Sequence, residues 1–346
     1  MSPLLTNTIM TICFVAGKSG GHLVPCLTKA KEFQQQNQHA KIYLFSSGSI
    51  LDHAIIDKQK EIKHVVPTNL DNPPYSKPWL LPWFTCKTIW YFTKSLYYLH
   101  QIKPQKVICF GGFVSIPTIL AAKILKIPFE IYELNVEPGK ATNFLSKFTD
   151  TIHICFKATA QYFSKKNCVY FEYPIRFTSK DLILDKTTLL EKYNLKKNKM
   201  TFLILGGSQG SILLNEVFKN MIKNHPDIAS KIQIIHQTGN SDPFDYKIFY
   251  KEHEIPSVVF DYHSQLEDFY NLADFIICRA GAGTLFEIRF FKKNCLTIPH
   301  KTGQTNHQIQ NVLELQKEFP DQFNIIEQDN FTDCTLFNYL TTLHML

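Results

Sequence analysis

The chain has 346 residues, of which 45% are hydrophobic and 19% are charged, and its formal net charge is +7. This length exceeds what one hydrophobic core usually organises, so two domains are expected, and the composition excludes a disordered or fibrous chain. Residues 1–150 contain 16 basic and 9 acidic residues, hence the whole excess of positive charge. This asymmetry predicts an anionic partner for the first half, either membrane phosphates or nucleic acid.

The predicted elements alternate between strands and helices from the start of the chain. The first apolar run is β-branched and leads straight into glycines, which favours a buried strand over a signal peptide. Most later runs are also continuously apolar, which is typical of strands buried on both faces of a parallel sheet. The first series comprises Ile9–Ala16, Lys41–Ser47, Ile62–Pro67, Lys106–Gly111, Phe129–Glu133 and Thr151–Phe156. The second comprises Thr201–Gly207, Ile232–Gly239, Ser257–Tyr262, Asp274–Arg279 and Cys295–Pro299.

Two βαβ series of this kind predict two doubly wound α/β domains. The boundary is expected after the strand Cys168–Tyr173, where Pro174 precedes a polar stretch. This division gives a first domain of residues 1–174 and a second of residues 175–331.

Ten of the 14 glycines occupy four predicted strand-to-helix turns. Free backbone N–H groups and the helix dipole at such a turn favour an anion, so two turns in each half predict phosphate-sized sites facing each other across a cleft. The alternative, that glycine merely permits a tight turn, remains open for any single turn. The glycines are Gly17, Gly20 and Gly21; Gly111 and Gly112; Gly206, Gly207 and Gly210; and Gly281 and Gly283. The patterns of a P-loop and of a dinucleotide-binding G-x-G-x-x-G turn are absent from the sequence.

Two further features concern the compartment and the membrane. The nine cysteines form no C-x-x-C pair and show no metal-ligand spacing, which indicates free thiols in a reducing cytoplasm. The sequence contains no run of 18 apolar residues, so it predicts no membrane-spanning helix. All three tryptophans fall within residues 79–90, among other large apolar side chains and lysines, which predicts a surface for the bilayer interface. An aromatic-rich core helix and stacking of single-stranded nucleic acid on the rings are the alternatives.

Seven short motifs follow one another between residues 17 and 311. They are Gly17-Lys18-Ser19-Gly20-Gly21-His22 with Pro25; Gly111-Gly112-Phe113-Val114-Ser115 with Pro117; Glu133-Leu134-Asn135 with Pro138-Gly139; Pro174-Ile175-Arg176; Gly206-Gly207-Ser208-Gln209-Gly210-Ser211 with Asn215; Arg279-Ala280-Gly281-Ala282 with Thr284 and Glu287; and His307-Gln308 with Asn311. In order and spacing they resemble the MurG family of UDP-N-acetylglucosamine:lipid-linked muramoyl-peptide N-acetylglucosaminyltransferases.

The resemblance implies the GT-B fold, in which two Rossmann-like, doubly wound parallel-sheet domains face a central cleft, with residues 332–346 packed back on the first domain. It implies a peripheral enzyme of peptidoglycan synthesis at the cytoplasmic face of the bacterial inner membrane. That enzyme transfers GlcNAc from UDP-GlcNAc, with inversion, to the 4-hydroxyl of the muramoyl sugar of undecaprenyl-diphospho-muramoyl-peptide (lipid I to lipid II). The implied partners are UDP-GlcNAc, this polyprenyl-linked acceptor and an anionic membrane surface, but no nucleic acid.

By the same resemblance, the second half binds the nucleotide sugar. An arginine offers several donors to a phosphate or a base, a glycine turn offers N–H groups to the diphosphate, and a carboxylate can accept from both ribose hydroxyls. The resemblance implies that the backbone of His263 contacts the edge of the uracil base and that the side chain of Gln308 contacts the GlcNAc hydroxyls. The expected donor-binding residues are Arg176, Ser208, His263, Ala282, Gly283, Thr284, Glu287 and Gln308.

The first half is expected to bind the acceptor, through Ser19, Gly20, Gly21 and Asn135. His22 follows two glycines at a helix start, where the dipole helps to keep the imidazole neutral, so it is the candidate general base. A structural histidine that only lines the loop is the alternative. Glu133 is either a cleft residue or a buried acid satisfied by backbone donors. The chain departs from the family pattern at Lys18, Tyr132, Leu134 and Tyr173.

Neither a metal ion nor another cofactor is expected, because no D-x-D signature stands in a predicted cleft-facing turn. Backbone dipoles and Arg176 would then stabilise the leaving diphosphate. Three other functions remain open: a related glycosyltransferase acting on another membrane lipid, a nucleotide-sugar-binding protein without transferase activity, and a nucleic-acid-binding protein. The last would explain the charge but not the paired glycine turns.

Overall fold

The computed structural model describes residues 10–17, 20–49, 52, 55–56, 62, 64–70, 72–74, 76–183, 185–207, 209–263, 265–301 and 306–346. These residues form two compact units that divide between Arg176 and Phe177, two residues after the boundary predicted from the sequence. Each unit contains an all-parallel sheet and helices, so the predicted pair of doubly wound α/β domains is confirmed.

The first unit contains a seven-stranded sheet. Its strands are β1 Thr11–Val15, β2 Lys41–Ser46, β3 His64–Pro67, β4 Lys106–Cys109, β5 Phe129–Glu133, β6 Thr151–Ile154 and β7 Asn167–Tyr170, in the order β3-β2-β1-β4-β5-β6-β7. The order reverses between β1 and β4, which pair directly, with Val15 opposite Cys109. The carboxyl ends of these two strands therefore lie side by side, at the switch point where open α/β sheets bind ligands.

Helices connect the strands of this unit. They are α1 Gly20–Gln36, α2 Leu81–Ile102, α3 Ser115–Ile124 and α4 Lys140–Leu145, with short 3-10 helices at Pro78–Leu80, Ser146–Phe148 and Lys157–Phe163. The helix α2 packs against α3, and the Ser95 and Thr118 hydroxyl oxygens lie 3.3 Å apart in that buried interface. None of the helices in the described part of the chain is long and apolar enough to cross a membrane.

The second unit contains a six-stranded sheet. Its strands are β8 Met200–Leu205, β9 Ile232–Gln237, β10 Ser257–Phe260, β11 Phe275–Cys278, β12 Cys295–Thr297 and β13 Phe323–Ile325, in the order β10-β9-β8-β11-β12-β13. The switch point lies between β8 and β11. The sequence did not predict β13, because Asn324 interrupts its apolar residues and leaves no continuous apolar run like the one around β12.

The helices of the second unit are α5 Thr187–Lys192, α6 Ile212–Asn224, α7 Tyr246–Glu252, α8 Glu267–Leu272, α9 Ala282–Phe290, α10 His307–Glu318 and α11 Asp333–Thr342, with 3-10 helices at Ser179–Asp181, Pro226–Ser230 and Gln328–Asn330. The C-terminal helix α11 packs against α6 and fully buries Leu336 and Leu340 in the core of this unit. Each such burial stabilises the fold by about 1.5–3 kcal/mol. Residues 332–346 thus contribute to the second core, whereas the family resemblance implies packing on the first domain.

Candidate active site

Two glycine turns meet at the switch point of the first sheet. Gly17 follows β1, whereas Gly111 and Gly112 follow β4 with φ angles of 87° and 83°, a region that favours glycine. A Cβ atom on Gly17 would lie 2.8 Å from the Cα atom of Gly112. The backbones of the two turns therefore touch, and a side chain at either position would push them apart.

His22 lies in the first turn of α1 with its ring against the β4 turn. A Cβ atom on Gly111 would lie 3.4 Å from His22 Cε1. His22 Nδ1 is buried and has no hydrogen-bond partner among the described residues, while the residue as a whole is half-buried. Burial lowers the pKa of His22, and the negative charge of Glu133 and the Phe110 carbonyl oppose this shift only in part. The imidazole is therefore neutral at neutral pH, as a general base must be.

The carboxylate of Glu133 organises the loop between β5 and α4. It is buried, and Oε1 accepts hydrogen bonds from the backbone N–H groups of Leu134 at 2.9 Å and Asn135 at 3.0 Å. Asn135 Nδ2 donates to the same oxygen at 3.2 Å, and the N–H of Gly139, the N-cap of α4, donates to Oε2 at 3.1 Å. Glu133 is thus a buried acid satisfied largely by backbone donors, and it sets the conformation of the loop that carries Asn135.

The predicted acceptor-side residues lie at the carboxyl edge of this one sheet. Gly20 and Gly21 open α1 after β1, and Asn135 follows β5, where its carbonyl accepts the Thr159 hydroxyl at 3.0 Å. Ser19 and the neighbouring departure Lys18 lie outside the described residues. Parallel topology therefore brings together three predicted positions from two separate motifs, and their contacts with an acceptor stay predictions.

Three departures from the family pattern are buried in the first unit. Tyr132 stacks on Phe110 and His153, with ring centroids 5.0 and 4.4 Å away, and its hydroxyl donates to Glu130 at 3.2 Å. Burial and the Glu130 carboxylate both raise the pKa of Tyr132. The other two departures, Leu134 and Tyr173, are also buried. All three side chains therefore belong to the interior of the first unit.

The turn after β8 is also built on close backbone contacts. Gly207 and Gly210 have φ angles of 86° and 78°. A Cβ atom on Gly206 would lie 2.6 Å from the carbonyl carbon of Gly210, so this turn also requires glycine. Ser211 then caps α6, its hydroxyl oxygen accepting the N–H of Leu214. Ser208, the predicted nucleotide contact in this turn, lies outside the described residues.

Arg279, at the end of β11, joins three segments beside that turn. Its Nε donates to the Ser211 hydroxyl at 3.1 Å, and Nη1 donates to the Ile298 carbonyl at 3.1 Å and to Gln328 Oε1 at 3.0 Å. Burial lowers its pKa to about 10, so the guanidinium remains a cation at neutral pH. The sequence singled out Arg279 only as part of a motif, because a pattern does not reveal which segments a long side chain reaches.

The helix α9 begins directly after β11, on the strand that pairs with β8. Gly281 is its N-cap, and a Cβ atom there would meet no described atom within 4 Å. Ala282, Gly283 and Thr284 form the first turn, whose N–H groups have no acceptor within the helix. Unpaired N–H groups and the helix dipole favour an anion at this place.

Two other predicted donor residues are held by neighbouring polar groups. Glu287 is 8% exposed, and its Oε2 accepts the hydroxyl of Tyr270 at 2.8 Å. Gln308 lies in the first turn of α10, where its Oε1 accepts the N–H of His300 at 2.8 Å. Both side chains therefore have defined orientations, while their contacts with ribose and GlcNAc stay predictions.

His263 and Arg176 complete the predicted set. His263 follows β10, and its Nδ1 is hydrogen-bonded to the backbone of Gln265. Arg176 is half-buried at the end of the first unit. In the part of the chain that the structure describes, no group of three His, Cys, Asp or Glu side chains could hold a metal ion, and metal independence remains a prediction.

A polar cluster behind the β8 turn was not predicted from the sequence, which named only Asn215 among its members, as part of a motif. It contains Asn215, His236, Thr238, Asp242 and Tyr250. The available signal was the polar end, His-Gln-Thr-Gly, of an otherwise apolar predicted strand. That signal could have identified Gly239, which packs closely against the β8 turn. A Cβ atom added to Gly210 would lie only 2.6 Å from the Cα atom of Gly239.

Comparison with known families assigns both halves of the chain. The model described as glycosyltransferase family 28 N-terminal domain matches residues 12–154, and the one described as glycosyltransferase family 28 C-terminal domain matches residues 201–345. The chain belongs to glycosyltransferase family 28. The matched ranges contain the glycine turns of both units, so this family assignment and the geometry above concern the same residues.

Two curated relatives of this chain bear the same name. A Borreliella afzelii (strain PKo) protein called UDP-N-acetylglucosamine--N-acetylmuramyl-(pentapeptide) pyrophosphoryl-undecaprenol N-acetylglucosamine transferase is 30% identical over 315 residues, which cover 89% of this chain and 81% of the relative. A Geobacter sulfurreducens protein of the same name is 27% identical over 322 residues, which cover 92% and 86% of the two chains. The resemblance to the MurG family drawn from the motifs is thereby confirmed.

Solved structures establish the GT-B fold for this member of family 28. Acinetobacter baumannii MurG matches with a TM-score of 0.69 at 24% identity, over 97% of this chain and 91% of that one. Medicago truncatula UGT71G1 complexed with UDP-glucose matches with a TM-score of 0.65 at 14% identity, over 95% and 88%. A Neisseria meningitidis UDP-GlcNAc 2-epimerase bound to UDP-GlcNAc matches at 0.61 and 14% identity, over 96% and 92%. Because an epimerase shares the fold, the fold alone does not decide the reaction.

Proposed function

We propose that this protein transfers GlcNAc from UDP-GlcNAc, with inversion, to the 4-hydroxyl of the muramoyl sugar of undecaprenyl-diphospho-muramoyl-peptide, the lipid I to lipid II step of peptidoglycan synthesis. The observation that carries the proposal is the match of both family 28 domains in a chain that aligns over 89% of its length with a relative bearing that transferase name. The geometry of each unit supplies groups suited to one substrate.

In this proposal the first unit binds the acceptor and removes its proton. Neutral His22 takes the proton of the 4-hydroxyl, whose oxygen attacks the anomeric carbon of GlcNAc. The bond from that carbon to the β-phosphate oxygen breaks, and its electron pair leaves with UDP. Attack from the face opposite the leaving group inverts the configuration. The start of α1 at Gly20 and Gly21, together with Asn135, binds the acceptor.

The second unit binds UDP-GlcNAc. The N–H groups of Ala282, Gly283 and Thr284 hold the diphosphate and stabilise the charge that develops on UDP, a role in which fixed backbone dipoles are effective. The guanidinium of Arg279, a half-buried residue, adds positive charge at the same edge of the sheet. Glu287, oriented by Tyr270, accepts the ribose hydroxyls. Charge stabilisation of this kind requires no cofactor, and we expect none.

We also propose that α2 and the 3-10 turn before it bind an anionic membrane surface, which places the enzyme peripherally at the cytoplasmic face of the inner membrane. Trp79, Trp83 and Trp90 are 71%, 71% and 67% exposed, whereas Leu99, on the opposite face of the helix, is fully buried. This exposure contradicts the alternative of a core helix for the three indoles. Exposed indole rings beside lysines suit the interface between headgroups and acyl chains.

Release of UDP from UDP-GlcNAc tests the proposed reaction. We expect the purified chain to release UDP only when a soluble analogue of the muramoyl-diphospholipid is present, and to do so equally in a metal chelator. Incubation with diacylglycerol instead of the muramoyl acceptor is the matched control. Tight UDP binding without release in either case would support a nucleotide-sugar-binding protein, and release with diacylglycerol alone would support the related lipid glycosyltransferase.

A further inference from the structure

A chain of buried polar side chains runs behind the β8 turn of the second unit. Asn215 on α6, His236 on β9 and Tyr250 on α7 are each fully buried. Their polar atoms are all paired, because an unpaired buried polar group costs free energy. The function proposed above assigns no role to these side chains.

The hydrogen bonds of Asn215 fix the orientation of its amide. Its Nδ2 donates to the Thr238 carbonyl at 3.0 Å and to Asp242 Oδ2 at 3.0 Å. Both partners are acceptors, so a flipped amide would direct its oxygen at two other oxygens. The amide oxygen of Asn215 must therefore face His236, whose Nε2 lies 3.0 Å away.

This orientation also selects one form of the His236 ring. Because Asn215 Oδ1 can only accept, His236 Nε2 must carry the hydrogen, and Nδ1 accepts the hydroxyl hydrogen of Tyr250 at 2.8 Å. The neutral ring with its proton on Nε2 therefore gives Asn215 Oδ1 a donor and the Tyr250 hydroxyl an acceptor. Burial lowers the pKa of His236 to about 3, in agreement with a neutral ring.

This series of hydrogen bonds ends at the backbone beside the β8 turn. Asn215 holds the Thr238 carbonyl, which lies directly beside the position of a Cβ atom on Gly210. Gly210 precedes Ser211, the N-cap of α6 and the acceptor for Arg279 Nε at 3.1 Å. A displacement of the Thr238 carbonyl would therefore move Gly210, the cap and the bond to Arg279 together.

We infer that His236 is a positioning residue for the donor nucleotide: acting through Asn215, it fixes the Thr238 carbonyl against Gly210 and so holds Ser211, and the Arg279 guanidinium bonded to it, in place for the UDP diphosphate. This inference rests on the proposed binding of UDP-GlcNAc by the second unit. His236 itself acts behind the turn and contacts no substrate. Preorganisation of this kind strengthens binding, because the turn need not be ordered when the nucleotide arrives.

The test compares UDP affinity in the full chain by calorimetry. His236→Phe keeps a ring but loses the donor to Asn215, and we expect its Kd for UDP to rise at least tenfold. His236→Gln keeps an N–H group near the Nε2 position, and its Kd should stay within threefold of wild type. Ile222→Ala is the matched control, since it removes buried apolar atoms from the far end of α6 and should lower Tm without changing Kd.

Equal UDP affinity in His236→Phe and wild type overturns the inference, as does an equal loss in Ile222→Ala. If His236→Phe does not fold, Tyr250→Phe decides instead, because it removes one hydroxyl and frees the His236 ring to turn. A rise of about threefold or more in its Kd supports the inference, and an unchanged Kd overturns it. A wild-type chain that fails to bind UDP contradicts the proposed function together with the inference, whereas a binding wild type with an equally tight His236→Phe variant contradicts the inference alone.

Discussion

The backbones of Gly17 and Gly112 touch: a Cβ atom on Gly112 would lie 2.6 Å from the Cα atom of Gly17. Gly112 also has a φ angle of 83°, which L-residues other than glycine rarely adopt. Through this contact the β1 turn, from which His22 follows, is held against the β4 turn. The place of the proposed base therefore depends on two glycines that are far apart in the chain.

Replacement of Gly112 by alanine is expected to displace both turns. The left-handed backbone alone costs about 1–2 kcal/mol for an alanine, and relief of the contact with Gly17 adds to this. We predict a lower Tm and at least a tenfold loss of acceptor-dependent UDP release, with UDP affinity unchanged because the second unit is untouched. Thermal unfolding, turnover and calorimetry measure the three effects.

Gly139→Ala is the matched control for Gly112→Ala, because Gly139 has an ordinary backbone conformation. Its φ angle is −61°, a Cβ atom there meets no described atom within 4 Å, and alanine keeps the N–H that donates to Glu133. We expect near-wild-type stability and turnover. Wild-type turnover in Gly112→Ala would show that the contact between the turns is unimportant for the reaction.

His22→Ala is expected to lower turnover by about 10²–10⁴-fold, the usual contribution of a general base. The Kd for UDP should stay within twofold of wild type. Because burial lowers the pKa of His22, the acid limb of the pH profile of kcat/KM should lie below pH 6.5. His100→Ala, at the exposed end of α2, serves as the control. Turnover within threefold of wild type in His22→Ala would assign the proton to another group.

Glu133→Gln is expected to shift that acid limb to lower pH. The negative charge of Glu133 raises the pKa of His22 against the larger effect of burial, so its removal lowers this pKa further. Turnover at the optimum should also fall, because the amide cannot accept every hydrogen bond of the loop that carries Asn135. The pH dependence of kcat/KM measures both effects.

Glu130→Gln is the control for the change of charge. Glu130 is on the same strand but pairs with Lys106 at 2.6 Å, and its replacement should leave the acid limb unmoved. A shift to higher pH in Glu133→Gln, or no shift at all, would contradict an electrostatic coupling of Glu133 to His22.

Simultaneous replacement of Trp79, Trp83 and Trp90 by serine is expected to weaken binding to vesicles of anionic phospholipid by tenfold or more. The rings are exposed, so their loss should change neither Tm nor turnover with a soluble acceptor analogue. Co-sedimentation with vesicles measures the effect. Tyr162→Ser, a 43% exposed aromatic residue elsewhere in the first unit, is the control. Unchanged sedimentation of the triple variant would place the membrane contact elsewhere.

His236 is expected to make the stability of the protein fall on acidification. Its pKa is about 3 in the folded chain and near 6.5 when unfolded, so the unfolded state binds more protons between these values. The contribution of His236 to the free energy of unfolding should therefore fall by up to about 1.4 kcal/mol for each pH unit below 6.5. Urea unfolding of wild type and His236→Gln at pH 7, 5.5 and 4.5 measures it. Parallel pH dependences in the two proteins would show that His236 is not held neutral.

Much of the fold and part of the site could be predicted from local sequence. Continuously apolar runs marked the strands, glycine clusters marked the turns, and His22 directly after two glycines marked the start of α1. Such features depend on a few neighbouring residues, so the sequence displays them without reference to the rest of the chain. The strand β13 was missed because its three residues contain Asn324 and so lack a continuous apolar run.

Only the tertiary structure decided which of these features meet. It brought Gly17 to Gly112 and Gly210 to Gly239, gave Glu133 its backbone donors, and left the three indoles exposed on α2 and the 3-10 turn before it, while Ser95 and Leu99 of α2 are buried. The physical reason is that such contacts depend on which strands are neighbours and on which helix face packs inward. Both are set by the energy of the whole core, which no local pattern contains.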